Sequence, residues 1–162
     1  MSLDGYIAGP KGEHDWIEMD PEIDPVAFFK DFYAQFDIAI MGRLTYELVG
    51  GAVEGIDTYV FSHSLTPGKH KDVTVLGDNG IEYLSRLRSE DGKDIWLYGG
   101  GLLLGSLTSA GLVDTVEVSV MPVLLGGGNS VISGNAARVK LHLLSSEKSA
   151  SGILSLKYAI EK

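Results

Sequence analysis

An apolar run that breaks on three glycines is the part of this sequence best suited to bind a ligand. Residues 95–98 are Ile-Trp-Leu-Tyr, then come Gly99, Gly100 and Gly101, and the apolar residues resume at Leu102 with helical character. This order predicts a strand, a glycine turn and a helix. Glycines at such a junction let backbone N–H groups approach a ligand, and the helix N-terminus favours negative charge. The run therefore indicates a phosphate cradle, with a tight packed turn as the alternative.

The glycine spacing excludes two common phosphate-binding motifs. A dinucleotide fingerprint G-x-G-x-x-G that begins at Gly99 requires a glycine where this chain has Leu104. The P-loop requires Lys-Ser/Thr after its last glycine, whereas Ser106 and Leu107 follow Gly105. The predicted cradle thus belongs to neither motif.

A second candidate segment follows a buried strand at residues 38–41. Gly42, Arg43 and Thr45 stand at the start of a short predicted helix. Open α/β sheets bind ligands beyond the carboxyl ends of their strands, which is where this segment falls. A guanidinium there can hold a phosphate by two hydrogen bonds. The alternative for Arg43 is a surface ion pair with one of the many acidic residues.

A third segment, Ser62-His63-Ser64, also follows a predicted strand. Two hydroxyls that flank an imidazole can hydrogen-bond a phosphate, although the same residues are typical of a plain turn. Taken together, three strand ends with phosphate-compatible groups favour an extended ligand that carries several phosphates.

Alternating strand and helix patterns must position these segments. Asp24 and Pro25 predict a helix start. Aromatic residues then recur at helical spacing and predict a helix that faces the core: Phe28, Phe29, Phe32, Tyr33 and Phe36. Apolar runs predict buried strands at 38–41, 58–61 and 73–76, and alternating residues predict later strands at 116–120 and 153–160. The sequence thus predicts an α/β sheet followed by antiparallel strands.

Length and charge limit the function classes. The 162 residues predict one domain, and 13 basic against 22 acidic residues give a net charge of −9. This charge argues against nucleic acid or an anionic membrane surface as partner. No apolar run approaches the length of a membrane span, and the absence of cysteine is consistent with a reducing cytoplasm. The four histidines lack ligand spacing, so no metal site is predicted.

An ordered set of motifs gives the chain a family resemblance. The set consists of SLDGYIA (2–8), MGRLTYE (41–47), VFS (60–62), YGGG (98–101) and LVD (112–114). The chain resembles the dihydrofolate-reductase-like superfamily, most closely the reductase domain of bacterial riboflavin biosynthesis. The resemblance spans nearly the whole chain. It implies a three-layer α/β/α fold over residues 1–162, with a mixed, mainly parallel central sheet and antiparallel C-terminal strands.

The resemblance also implies NADPH binding and hydride transfer. Relatives place the Gly-Arg-x-Thr segment and the serine of the next strand end around the 2′-phosphate and pyrophosphate, and the glycine turn against the pyrophosphate. Carried over, the cofactor-binding residues are Gly42, Arg43, Thr45, Ser62, His63, Gly99, Gly100, Gly101 and Leu102. Relatives often have arginine where this chain has His63. Because histidine is only partly charged near pH 7, we expect weaker discrimination of the 2′-phosphate.

On the substrate side, the resemblance implies reduction of a ribosylaminopyrimidine, as in a 5-amino-6-(5-phosphoribosylamino)uracil reductase. Asp4 is the predicted catalytic residue, because the SLDG loop lines the substrate cleft in relatives, with an Asp-Gly turn as the alternative. A dihydrofolate, other pterin or carbonyl reductase stays open, as does a non-catalytic nucleotide-binding dimer of the same fold.

Two expectations concern the ends of the fold. Relatives carry a full strand directly before the SLDG segment, so we expect the first strand to be truncated here. Relatives also often pair through their sheets or C-terminal strands. A homodimer is therefore expected, with the alternating residues of 153–160 either in that contact or in the core of one chain.

Overall fold

The structure is a computed structural model, and it describes residues 1–161. The helices are α1 (Pro25–Tyr33), α2 (Arg43–Val49), α3 (Gly80–Leu87) and α4 (Gly101–Ser109). The strands are β1 (Tyr6–Ala8), β2 (Phe36–Gly42), β3 (Asp57–Phe61), β4 (Gly68–His70), β5 (Val73–Leu76), β6 (Asp94–Gly99), β7 (Thr115–Val120), β8 (Asn129–Ser130), β9 (Leu141–Lys148) and β10 (Leu154–Ile160). No helix among these is long and apolar enough to cross a membrane.

The chain divides into two compact units, of which one comprises Val26–Leu104. Its five strands form one sheet in the order β4-β5-β3-β2-β6. The strands β5, β3, β2 and β6 run parallel, and only the edge strand β4 is antiparallel to its neighbour. Helices connect β2 to β3 and β5 to β6 along the chain. The predicted mixed, mainly parallel α/β sheet is therefore confirmed.

The core of this unit lies on the parallel strands. Five of its fully or nearly fully buried residues come from adjacent strands: Ala39, Met41, Val60, Val73 and Val75. Parallel strands covered on both faces read as continuous apolar runs rich in β-branched residues, which is the pattern that the sequence shows at these positions. The predicted strands at 38–41, 58–61 and 73–76 are confirmed.

Helix α1 begins at Pro25 as predicted, but the prediction of a core-facing helix is only partly right. None of its residues is buried, and Phe28 and Phe29 are 45% and 41% exposed. The ring of Phe32 instead packs edge-on against Trp96, with centroids 5.0 Å apart. Phe32 therefore covers the sheet at Trp96, whereas the half-exposed Phe28 stacks on Phe32.

The other unit comprises Met1–Pro25 and residues 105–161. It contains an antiparallel sheet in the order β7-β10-β9 and a two-stranded pair of β1 with β8. Lys157 of β10 forms an ion pair with Glu117 of β7. The predicted antiparallel strands near the C-terminus are confirmed. A short strand also forms at Tyr6–Ala8, directly after the SLDG segment. The edge strand β9 is exposed along its whole length.

Candidate functional site

The three segments predicted to bind phosphate lie at one edge of the five-stranded sheet. Because β2, β3 and β6 are parallel, their carboxyl ends at Gly42, Phe61 and Gly99 meet at what we call the carboxyl edge. The register pairs Gly42 with Phe61 and Met41 with Gly99. Residues that follow these ends therefore leave the sheet at the same level.

The order in which strands are added to the sheet reverses between β2 and β6. From β2 the chain continues to β3 on one side, whereas β6, which comes later, lies on the other side of β2. Such a switch point opens a crevice beyond the strand ends, and ligands of open α/β sheets bind there. In this chain the switch point lies between the Gly42 segment and the Gly99–Gly101 turn, and we call the space beyond these two strand ends the crevice.

The residues at the switch point lie near one another. A Cβ built on Gly42 would lie 3.9 Å from both Gly100 N and Gly99 O. Cβ positions on Gly100 and Gly99 would lie 3.5 and 3.7 Å from the hydroxyl oxygen of Thr45. The structure therefore brings Gly42, Thr45, Gly99 and Gly100 together, and side chains larger than hydrogen would narrow the space between them.

The glycine turn has a backbone that favours glycine. Gly99 has a φ of +141°, and the Gly99–Gly100 peptide bond is cis. Helix α4 begins directly afterwards at buried Gly101, as predicted, and Leu102 in its first turn is 64% exposed. Gly99 and Gly100, followed by the nine-residue helix that begins at Gly101, offer backbone N–H groups and a positive dipole end to an anion.

Arg43 is held by a neighbour on its own helix. Its Nη1 donates to Glu47 Oε1 at 2.6 Å and to Glu47 Oε2 at 2.8 Å. Both side chains are partly exposed, at 38% and 48%. The surface ion pair considered for Arg43 is thus present, and the guanidinium can still turn other N–H groups towards a ligand.

Ser62 is nearly buried, and its side chain holds the turn that follows β3. Its Oγ accepts the backbone N–H groups of Ser64 at 3.1 Å and Leu65 at 3.0 Å. The turn considered for this segment is therefore present. Because Ser62 Oγ only accepts in these two hydrogen bonds, its O–H can still donate to a phosphate oxygen.

His63 lies beside Ser62 and points to an acidic partner. Its Nδ1 lies 2.7 Å from Asp78 Oδ1, and both side chains are almost fully exposed. Asp78 follows β5, which pairs with β3 in parallel, so the two residues leave neighbouring strand ends. The imidazole therefore has its second ring nitrogen available to a ligand.

Asp4, the predicted catalytic residue, belongs to the other unit. Its two carboxylate oxygens accept the backbone N–H groups of Leu125 at 3.1 Å and Gly126 at 2.7 Å. A side-chain hydrogen bond from Ser2 lowers the pKa of Asp4 below its ordinary value, and the Gly126 N–H lowers it further. The ionised carboxylate of Asp4 therefore holds the bend at Leu125 and Gly126, where a second run of three glycines begins (126–128).

Sequence reasoning missed two acidic residues at the carboxyl edge. Glu47 stands four residues after Arg43 in a predicted helix, a spacing that could have indicated the ion pair. Asp78 is fifteen residues away from His63 and meets it only because β3 and β5 are neighbours. Within residues 1–161, no three acidic or histidine side chains are grouped so as to hold a metal ion.

Comparison with known proteins agrees with this architecture. Residues 1–155 match the family described as RibD C-terminal domain. The chain is 33% identical over 174 aligned positions to YyaP of Bacillus subtilis, an uncharacterized protein, and the alignment covers 98% of this chain and 90% of YyaP.

Two solved structures extend the comparison to the fold. A putative riboflavin biosynthesis protein from Shewanella superposes with a TM-score of 0.83 at 22% identity, covering 100% of this chain and 96% of that one. Dihydrofolate reductase from Enterococcus faecalis, complexed with NADP(H), superposes with a TM-score of 0.68 at 16% identity, covering 100% and 93%. The fold is therefore dihydrofolate-reductase-like, and the chain belongs to the RibD C-terminal domain family.

Proposed function

We propose that this protein is a reductase that transfers a hydride from NADPH to a small heterocyclic substrate. The observation that carries the proposal is the group of Gly42, Thr45, Gly99 and Gly100 at the switch point of the sheet. A glycine-lined crevice in front of a helix suits a pyrophosphate, which needs close backbone approach and a positive dipole end. Family membership and the NADP(H) in the related reductase fold support the same cofactor.

The proposed cofactor contacts divide between the three strand ends. The backbone at Gly99, Gly100 and Gly101 would face the pyrophosphate, with Leu102 beside it. Arg43 and Thr45 would bind phosphate oxygens by charge and by hydroxyl. The carboxyl edge at Ser62 and His63 would face the adenosine end of the cofactor.

For the substrate we propose a ribosylaminopyrimidine, as in a 5-amino-6-(5-phosphoribosylamino)uracil reductase. The hydride would reduce the C=N bond of the imine tautomer to CH–NH, and the nitrogen would take a proton. Such a step needs mainly proximity and a proton source. Because the pKa of Asp4 is lowered, its carboxylate is ionised at neutral pH. We therefore assign Asp4 an anionic, orienting role and take the proton from water.

We further propose that the protein is a cytoplasmic homodimer. Leu141 and Leu143 of β9 and Leu154 of β10 lie on one face of the antiparallel sheet and are 45%, 48% and 39% exposed. Among residues 1–161, β9 is an edge strand with β10 as its one neighbour, so alternate backbone groups of β9 have no strand partner there. Antiparallel pairing with β9 of a second copy would place His142 opposite Glu147 twice, which makes the strand self-complementary.

Nucleotide titration and turnover test the proposed function. The purified protein is titrated with NADPH while nicotinamide fluorescence is followed, and NADPH oxidation is then measured with aminopyrimidine and pterin substrates. Arg43→Ala should weaken NADPH binding about tenfold, because it removes a charged hydrogen-bond donor from a phosphate. Lys93→Ala is the control, since Lys93 lies at the opposite end of the sheet, where its Nζ is 3.8 Å from Asp37 Oδ1. Absence of NADPH binding at millimolar concentration, or equal losses in both variants, would contradict the proposal.

A further inference from the structure

Both basic side chains that follow β2 and β3 at the carboxyl edge already have an acidic partner. The guanidinium of Arg43 contacts both carboxylate oxygens of Glu47, at 2.6 and 2.8 Å. The imidazole of His63 contacts Asp78 at 2.7 Å. Arg43 and Glu47 together are neutral, and Asp78 adds a negative charge that His63 cancels only when it is protonated. This part of the edge therefore has a formal charge between zero and −1.

Two other basic residues of the Val26–Leu104 unit, Lys69 and Arg86, have partners away from this edge. Lys69 lines a small cavity of about 70 Å³ with Asp57 and Asp72, and these two acids stand at the amino ends of β3 and β5. The guanidinium of Arg86 lies over the ring of Tyr83, 5.8 Å from its centroid. Lys69 therefore does not replace the charge that an arginine at position 63 would supply.

NADPH and NADH differ in charge at the adenosine ribose, so the formal charge of the carboxyl edge affects their binding differently. NADPH carries a 2′-phosphate, which in reductases is held by positive side chains, whereas NADH presents hydroxyls that donate hydrogen bonds to carboxylates. A phosphate dianion near Glu47 and Asp78 is repelled by both, or must displace them from Arg43 and His63. Ribose hydroxyls meet no such repulsion and find acceptors there.

We infer that this protein accepts NADH with an affinity comparable to that for NADPH, and that Glu47 and Asp78 set this preference. The inference rests on the proposed function, because it assumes a nicotinamide dinucleotide at the carboxyl edge. Glu47 and Asp78 act as specificity-determining residues: they lower the affinity for the 2′-phosphate without contributing to hydride transfer.

Parallel titrations of the full chain with NADH and NADPH test the inference. The variants are Glu47→Gln, Asp78→Asn and the double variant, each of which removes a charge while keeping the side-chain shape. Asp91→Asn is the matched control, because exposed Asp91 precedes the amino end of β6. We expect each single variant to strengthen NADPH binding about two- to fivefold, which is the range of an exposed charge pair, and to change NADH binding less. Higher salt should shrink the difference between variant and wild type.

Each outcome has a distinct meaning. A wild-type protein that binds both nucleotides within about tenfold of each other, with the ratio shifted by the two variants and not by the control, supports the inference. A wild-type protein that binds NADPH far more tightly than NADH, or variants that leave the ratio unchanged, overturns the inference while the proposed function stands. If neither nucleotide binds, the proposed function fails and the inference fails with it.

Discussion

The hydroxyl of Thr45 lies 3.5 Å from the position that a Cβ on Gly100 would occupy. This contact joins the start of α2 to the glycine turn before α4, two segments more than fifty residues apart in the chain. Because the distance allows a methyl group but little more, larger side chains at Gly100 must enter the crevice or displace Thr45.

We therefore expect Gly100→Val to reduce NADPH affinity at least tenfold and to cost about 1–3 kcal/mol of stability by overpacking. Adding Thr45→Ala should recover part of the stability, because it removes the atom that the valine meets. It should not recover binding, since the crevice stays filled. Chemical unfolding and NADPH titration of the single and double variants measure the two effects separately. Wild-type affinity in Gly100→Val would show that the ligand does not use this crevice.

A second prediction concerns the glycine run after β7. A Cβ on Gly128 would lie 2.1 Å from the carbonyl oxygen of Ala8, and its φ is +142°. Neighbouring Gly127 has nothing within 4 Å of its Cβ position. Gly128→Ala should therefore destabilise the protein by roughly 3 kcal/mol through steric overlap and backbone strain, whereas Gly127→Ala should be close to neutral. Urea unfolding of both variants measures the difference, and similar midpoints would contradict it.

The parallel sheet was predictable because its strands are buried. Continuous apolar runs at β2, β3 and β5 gave a pattern that solvent-exposed strands lack, and the glycine triplet fixed the junction of β6 with α4. The edge strands β4 and β9 were not predicted, since Gly68–His70 is short and the eight exposed residues of β9 alternate poorly. Edge strands carry little burial and therefore little sequence signal.

The candidate site was predictable in the positions of its residues but not in their partners. The motifs placed Gly42, Thr45 and the glycine turn at strand ends, and the parallel register brought those ends to one level. The contact of His63 with Asp78 depends on the order of β3 and β5 in the sheet, which no local pattern contains. Long-range pairs of exposed charges are for this reason the part that sequence reasoning missed.

A third prediction concerns the bend that Asp4 holds. Asp4→Asn keeps one carbonyl oxygen and therefore loses one of the two hydrogen bonds from Leu125 and Gly126. We expect faster amide hydrogen exchange at these two positions and a modest loss of stability. Asp15→Asn, at an exposed loop residue of the same unit, is the control. Unchanged exchange in Asp4→Asn would show that its carboxylate does not hold the bend.

A fourth prediction follows from the protonation of Asp20. Its carboxylate accepts the Glu22 N–H at 2.9 Å and the Ser151 hydroxyl at 3.0 Å. The Glu22 N–H, followed by the Ser149 hydroxyl, lowers the pKa of Asp20 below its usual 3.8. Because the folded-state value is the lower one, the stabilisation is fully present above pH 3.8 and is lost as the pH falls through the folded-state pKa.

Asp20→Asn should therefore be less stable than the wild type at neutral pH and should approach it in strong acid. Unfolding free energies measured in urea across this pH range, with Asp15→Asn as the control, give the comparison. A difference between Asp20→Asn and wild type that does not depend on pH would mean that ionisation of Asp20 contributes nothing to folding.

A fifth prediction tests the proposed homodimer through its charges. In the antiparallel pairing of β9 with β9 of a second copy, His142 and Glu147 face each other across the two-fold axis. Glu147→Lys and His142→Glu should each weaken dimerisation. The first variant places lysine opposite histidine twice, and the second places two glutamates opposite each other twice. The combined variant exchanges the two charges and should restore association. Sedimentation equilibrium measures the dissociation constant of the wild type and of each variant. A double variant that stays as weak as the worse single variant would exclude this register, and a monomeric wild type would exclude the dimer.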